Sequence, residues 1–95
     1  EALQPVARDF AFVVDAKTEA EIIARAARGT DKALVKDAYV FDIYTGKGVE
    51  AGKKSVALAV TLQPQGQSLT DKDLETVSKK ITDAVIARTG GSLRS

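Results

Sequence analysis

Cysteine, histidine and methionine are all missing from the 95 residues of this chain. Without cysteine there is neither a disulfide framework nor a thiolate nucleophile, and without histidine the commonest general base and metal ligand is gone as well. A reducing compartment such as the cytoplasm fits that composition. Methionine is absent even from position 1, which suggests a piece of a longer polypeptide whose function belongs to the larger protein. No run of about 18 apolar residues is there to span a bilayer, and no charged-then-apolar leader ending in small residues is seen. Neither membrane insertion nor secretion is expected. An excess of one charge is also lacking: 14 basic against 13 acidic side chains leave a formal net charge of +1. A strong, sequence-independent attraction to phosphates is therefore not expected, and any nucleic acid would be held mainly by shape and stacking. What is present, 44% hydrophobic residues, suffices for one core in a single domain.

Hydrophobic periodicity gives the order of elements. Residues 8–15 read as a strand, with Phe10, Phe12 and Val14 on one face and Ala11 and Val13 on the other. Thr18 followed by Glu21 has the spacing of a capping box, opening a helix with Ile22, Ile23, Ala26 and Ala27 as its apolar stripe and Gly29 as its end. Residues 34–44 form a second strand and residues 54–63 a third, separated by a loop carrying glycines 46, 48 and 52. After a polar connection over residues 64–69, Thr70 caps a second helix in which Leu74, Val77, Ile81 and Val85 recur at helical spacing. Gly90 and Gly91 end it, and residues 92–94 add a short last strand. Residues 1–7, containing Pro5, read as a linker from an upstream domain, which leaves residues 8–95 as the domain itself.

Strand, helix, strand, strand, helix, strand is the order of an α+β, ferredoxin-like fold. In that split βαβ sandwich a four-stranded antiparallel sheet carries two helices on one face and leaves the other open. Right-handed crossovers put the first and third strands in the middle. If large residues face the helices, Phe10, Phe12, Val14, Tyr39, Phe41, Ile43, Val56, Leu58, Val60 and Leu62 form the core. The open face is then Ala11, Val13, Lys36, Ala38, Val40, Asp42, Tyr44, Ser55, Ala57, Ala59, Thr61 and Gln63, small and flat with polar edges, which suits docking.

Because the second and third strands run antiparallel through the glycine loop, Asp42, Tyr44 and Ser55 are expected to cluster. A tyrosine ring on an open sheet is a platform for an unpaired base, worth roughly 1–3 kcal/mol by stacking. A carboxylate only accepts hydrogen bonds, so it suits the two adjacent donors on the pairing edge of guanine. Ser55 donates or accepts beside it, and Lys47, Lys53 and Lys54 lie where they can steer a phosphate. The same letters also fit a plain strand-end tyrosine beside a turn-forming aspartate.

Five pieces narrow the choice: PVARD at residues 5–9, FDIYTG at 41–46, GKKS at 52–55, SLTD at 68–71, and the final pair Leu93 and Arg94. In this order they resemble the C-terminal ferredoxin-like anticodon-binding domain of the bacterial phenylalanyl-tRNA synthetase beta subunit. The resemblance implies a domain that binds the anticodon loop of phenylalanine tRNA. The first anticodon base, a guanine, would stack on Tyr44 and have its edge read by Asp42 and Ser55. Arg94, on the open face by parity, is a further candidate contact, whereas Arg8 and Asp9 fit an anchor for the first strand. Gln67 stands where the family usually has arginine, so a contact made by that arginine is not expected here. The resemblance further implies a parent ligase using ATP and magnesium, built of two alpha and two beta subunits. This domain itself would be monomeric, without a cofactor and without catalysis.

Other classes fit less well. A hydrolase on this fold needs a glycine-rich anion loop with an arginine, but the loop with glycines 46, 48 and 52 joins two strands and opens no helix. A general RNA-recognition domain carries aromatics on its central strands, where this chain has Ala11, Val13, Ala57 and Ala59. A regulatory or oligomerising domain, binding a small ligand or another chain on the flat face, is the remaining alternative.

Overall fold

A computed structural model describes residues 3–94. The elements are β1 (Val6–Asp15), α1 (Ala20–Arg28), β2 (Val35–Tyr44), β3 (Lys53–Leu62), α2 (Asp71–Thr89) and β4 (Ser92–Leu93). They make one four-stranded sheet in the order β2-β3-β1-β4, every neighbouring pair antiparallel. β1 and β3 are therefore central, as the ferredoxin-like expectation requires.

The central pair runs in unbroken register from Val6 opposite Leu62 to Asp15 opposite Lys53. Strict alternation then puts Phe10, Phe12 and Val14 beside Leu58, Val56 and Lys54 on the helix side, and all of these except Lys54 are buried. The Phe10 and Phe12 rings stack with centroids 6.1 Å apart. Ile23, Ala24 and Ala27 of α1 and Val77, Ile81 and Val85 of α2 close the core from above. Ala24 takes the buried place expected for Ile22, which stays partly exposed.

The starts of β1 and α1 differ from the sequence reading. β1 starts at Val6, because the end of β3 offers Val6 and Ala7 partners in Leu62 and Thr61. The expected linker thus gives two residues to the sheet, and Gln63 donates from Nε2 to the Leu3 carbonyl at 3.0 Å. Residues 1 and 2 of that linker, and residue 95 of the expected domain, lie outside the described residues. α1 starts only at Ala20, with Glu19 as a cap that makes no side-chain hydrogen bond. Thr18 does not cap it: its amide donates to Asp15 O at 3.0 Å in the turn that ends β1. The Thr70 cap of α2 does form, with Thr70 Oγ1 accepting from the Asp73 amide and Asp73 Oδ2 from the Thr70 amide, at 3.1 and 2.9 Å. Gly90 ends that helix in the left-handed region.

The main departure is in β2. Its register against β3 skips twice, from Val35/Leu62 to Asp37/Thr61 and from Val40/Leu58 to Asp42/Ala57. Each skip is a β-bulge that inserts one extra residue, Lys36 and then Phe41, and so reverses which residues face the helices. Val35, Ala38 and Val40 thereby lie opposite Leu62, Val60 and Leu58 on the core side, with Val35 and Ala38 buried and Val40 packed against the core. Ala38 and Val40 are not on the open face. Nor are Tyr39, Phe41 and Ile43 core residues, for all three are about half exposed. Tyr39 stands opposite Ala59 on the open face, Phe41 is the inserted residue, and Ile43 keeps the core-side parity opposite Val56 near the loop end of this edge strand. The second bulge undoes the first, and Asp42 and Tyr44 return to the open face opposite Ala57 and Ser55.

Candidate nucleic-acid interface

On the open face, residues line up in rows across the sheet. One row runs Tyr44, Ser55, Val13, Ser92. The next runs Asp42, Ala57, Ala11, and is extended by Arg94, whose amide donates to Ala11 O at 2.6 Å. A third holds Tyr39, Ala59 and Asp9. Same-face rows are about 7 Å apart, two strand residues each.

Tyr44 is held in place. Its phenol donates to the Lys47 carbonyl at 2.8 Å, folding the glycine loop back against the strand. Gly46 has φ 128, a backbone conformation that a residue with a side chain adopts only under strain. The Arg94 guanidinium lies 5.8 Å from the centroid of the Tyr44 ring, a cation–π contact spanning a floor of Ala11 and Ala57. Small residues on the two central strands are what let side chains from opposite edges of the sheet meet.

The expected trio is together: Asp42 and Tyr44 occupy adjacent rows, and Ser55 is the direct partner of Tyr44. Asp42 is exposed. Ser55 is only 5% exposed, low on the face beside the Tyr44 ring's strand position. Lys53 shares the open-face parity, but its Nζ sits 3.2 Å from Asp15 Oδ1. Lys54 does not join the site, because it pairs with Val14 and so points to the helix side. Lys47 contributes its carbonyl to Tyr44 and leaves its side chain in the exposed loop. Gln67 lies at the far end of the β2–β3 pair, lining an open cavity of about 360 Å³ with Leu34, Leu69 and Val77.

Electrostatics favour one way of approach. Asp9, Asp37 and Asp42 all carry open-face parity against Arg94 and the paired Lys53, so the face suits polar donors on bases better than phosphates. No group of acids able to hold a metal occurs among the described residues, and no helix there is long and apolar enough to cross a membrane.

Residues 2–94 match the family described as the ferredoxin-fold anticodon binding domain. The chain belongs to that family. Among its relatives are proteins of Rhodospirillum rubrum, Bradyrhizobium diazoefficiens and Rhodopseudomonas palustris, each named phenylalanine–tRNA ligase beta subunit. They are 56%, 52% and 54% identical to this chain over 92, 94 and 93 residues. Those stretches cover 97%, 99% and 98% of this chain but 12% of each relative, so it spans about an eighth of the length of the curated relatives it matches.

For an anticodon-binding domain the aromatic inventory of the face is the telling point. Its central strands carry no aromatic residue there, only Ala7, Asp9, Ala11, Val13 and Asp15 of β1 and Lys53, Ser55, Ala57, Ala59 and Thr61 of β3, and both tyrosines stand on the edge strand β2. Parity from sequence found Tyr44 but put Tyr39 in the core. The signal that would have found it is the apolar spacing Val35, Ala38, Val40, where a step of three among steps of two marks an inserted residue.

Proposed function

We propose that this chain is the anticodon-binding domain of a phenylalanine–tRNA ligase beta subunit and that it holds the anticodon loop of phenylalanine tRNA on its open sheet face. The observation that carries the reading is the meeting of Tyr44, Asp42 and Ser55 at one corner of that face, together with membership of the family. The first anticodon base, a guanine, stacks on Tyr44. Asp42 accepts from its ring N–H and amino group, and Ser55 supplies a further polar contact. Arg94, seated on the Tyr44 ring in the free chain, gives up that ring and turns its charge to the loop phosphates, where Lys47 and Lys53 assist.

The domain does no chemistry and uses no cofactor. In the parent, a cytoplasmic assembly of two alpha and two beta subunits, ATP, magnesium and phenylalanine are handled elsewhere. Gripping the anticodon there turns recognition at the far end of the tRNA into binding energy available in the transition state.

The test is a chemical-shift titration of the chain with a stem-loop carrying the phenylalanine anticodon and with one carrying adenine in place of the guanine. The guanine loop should bind more tightly and shift the amides of residues 42–55, and Asp42→Ala should erase the preference. Equal binding of the two loops by the unmodified chain would remove the role given to Asp42, and shifts confined to the helical face would remove the site.

A further inference from the structure

We propose that Tyr39 is a second base-stacking platform, so that the open face takes two unpaired bases of one loop, one on each tyrosine of β2. The proposal rests on the anticodon-loop reading above and extends it to a residue outside the Tyr44 corner.

Three observations carry it. First, the bulge at Phe41 makes Tyr44, Asp42 and Tyr39 successive residues of one face, opposite Ser55, Ala57 and Ala59. The two rings are thus two rows apart, about 14 Å along the strand, with a hydrogen-bond acceptor between them. Second, Tyr39 is not spent on the fold: the residue is 52% exposed, and Ala59 and Asp9 continue its row, so no bulky side chain covers it from the central strands. Tyr44, by contrast, is tied to the Lys47 carbonyl and stacked by Arg94. Third, the surroundings suit a base better than a phosphate. Asp37 and Asp42 flank Tyr39 along β2, and Asp37 Oδ1 already accepts from the Ala38 amide at 2.8 Å. Those carboxylates offer acceptors to the amino group of a base lying on the ring and repel the backbone outward.

An exposed aromatic on an edge strand also fits contact with a second copy of the chain. Continuity with the Tyr44 corner favours RNA, because both rings lie on one face with Asp42 between them, whereas an edge-to-edge dimer would use the strand backbone and not that face.

The experiment is a calorimetric titration with the stem-loop carrying the phenylalanine anticodon, and with a set in which each loop nucleotide in turn is abasic. The proteins are the unmodified chain, Tyr39→Ala, Tyr39→Ile, Tyr39→Phe and Tyr44→Ala. Tyr39→Ala should weaken binding by about 5- to 150-fold, the range of one base–aromatic stack. Tyr39→Ile, which keeps the preference for strand but has no ring, should lose as much, and Tyr39→Phe should bind as the unmodified chain does. One abasic position should cost nothing further in Tyr39→Ala, and a different one nothing further in Tyr44→Ala. If Tyr39→Ala and Tyr39→Ile bind normally while Tyr44→Ala is weakened, the second platform falls and anticodon binding stands. If the unmodified chain is indifferent to every abasic position, the reading of the face as an RNA site falls with it. A dimer in sedimentation that Tyr39→Ala abolishes, with RNA binding intact, would assign the ring to a second copy and overturn the proposal.

Discussion

Strands β1 and β3 and strand β2 are written in the same alternating style, yet only the first two bury their largest side chains. Phe10, Phe12, Val56, Leu58, Val60 and Leu62 are all buried, whereas Tyr39, Phe41 and Ile43 are half exposed. The difference is one of neighbours. β1 and β3 are each hydrogen-bonded on both sides, so an extra residue in either would break two ladders. β2 is an edge and pairs only with β3, so it absorbs two inserted residues at the cost of two local skips. The edge strand is therefore where alternation stops reporting the core and where exposed aromatic side chains accumulate.

The sharpest way to break this comparison is to delete single residues. Removing Phe41 leaves Val40 opposite Leu58 followed directly by Asp42 opposite Ala57, a continuous register with every remaining face unchanged. That deletion should fold, with its amide spectrum altered only around the bulge. Deleting Leu58 instead turns half of β3 over, carrying either Val60 and Leu62 or, on the other side of the deletion, Val56 out of the core. The product should show no cooperative unfolding transition. A folded Leu58 deletion, or an unfolded Phe41 deletion, would mean that edge and centre are not distinguished by their ladders.

Truncation of side chains tests the same contrast more gently. Phe12 is fully buried and stacked on Phe10, so Phe12→Ala should lower stability by about 3–5 kcal/mol in denaturant titration. Phe41→Ala removes a ring of similar size that is half in water, and should cost less than about 1 kcal/mol. Comparable losses from the two would put Phe41 in a cluster that the edge position does not show.

Much of this fold is legible in the sequence because local and tertiary signals agree. Val56, Leu58, Val60 and Leu62 alternate without interruption, and Thr70 with Asp73 caps α2 where the helical period begins. Thr18 and Glu21 carry an equally good local pattern, but the chain is still turning out of β1 there, and tertiary geometry overrides it. The candidate site was legible for an instructive reason: counting even positions along β2 fails at Ala38 and Val40, then succeeds at Asp42 and Tyr44, because the two bulges cancel. Lys54 was misplaced because neighbours in sequence fall on opposite faces of a strand, and Ser55 holds the open one. The Arg94–Tyr44 contact depends on strand order and on two alanines between the edges, and no local pattern announces it.

The smallest expected effect concerns that contact, and it separates the two ends of the open face. Arg94 is doubly engaged in the proposed scheme: it covers the Tyr44 ring in the free chain, then faces phosphates in the complex. Removing it frees the platform, a gain of about 0.5–1 kcal/mol for an exposed cation–π pair, and removes one counterion-releasing contact. The two effects oppose each other. Arg94→Ala should therefore change the affinity for the anticodon stem-loop by less than about 1 kcal/mol at moderate salt. It should nevertheless lower the slope of log K against log salt by about 0.7, the value for one single-strand phosphate. Tyr39, which no cation among the described residues covers, should show the reverse pattern, with Tyr39→Ala lowering affinity at every salt concentration and leaving the slope alone. An unchanged slope in Arg94→Ala would restrict that arginine to its role on the ring, and the corner would then be neutral toward the RNA backbone.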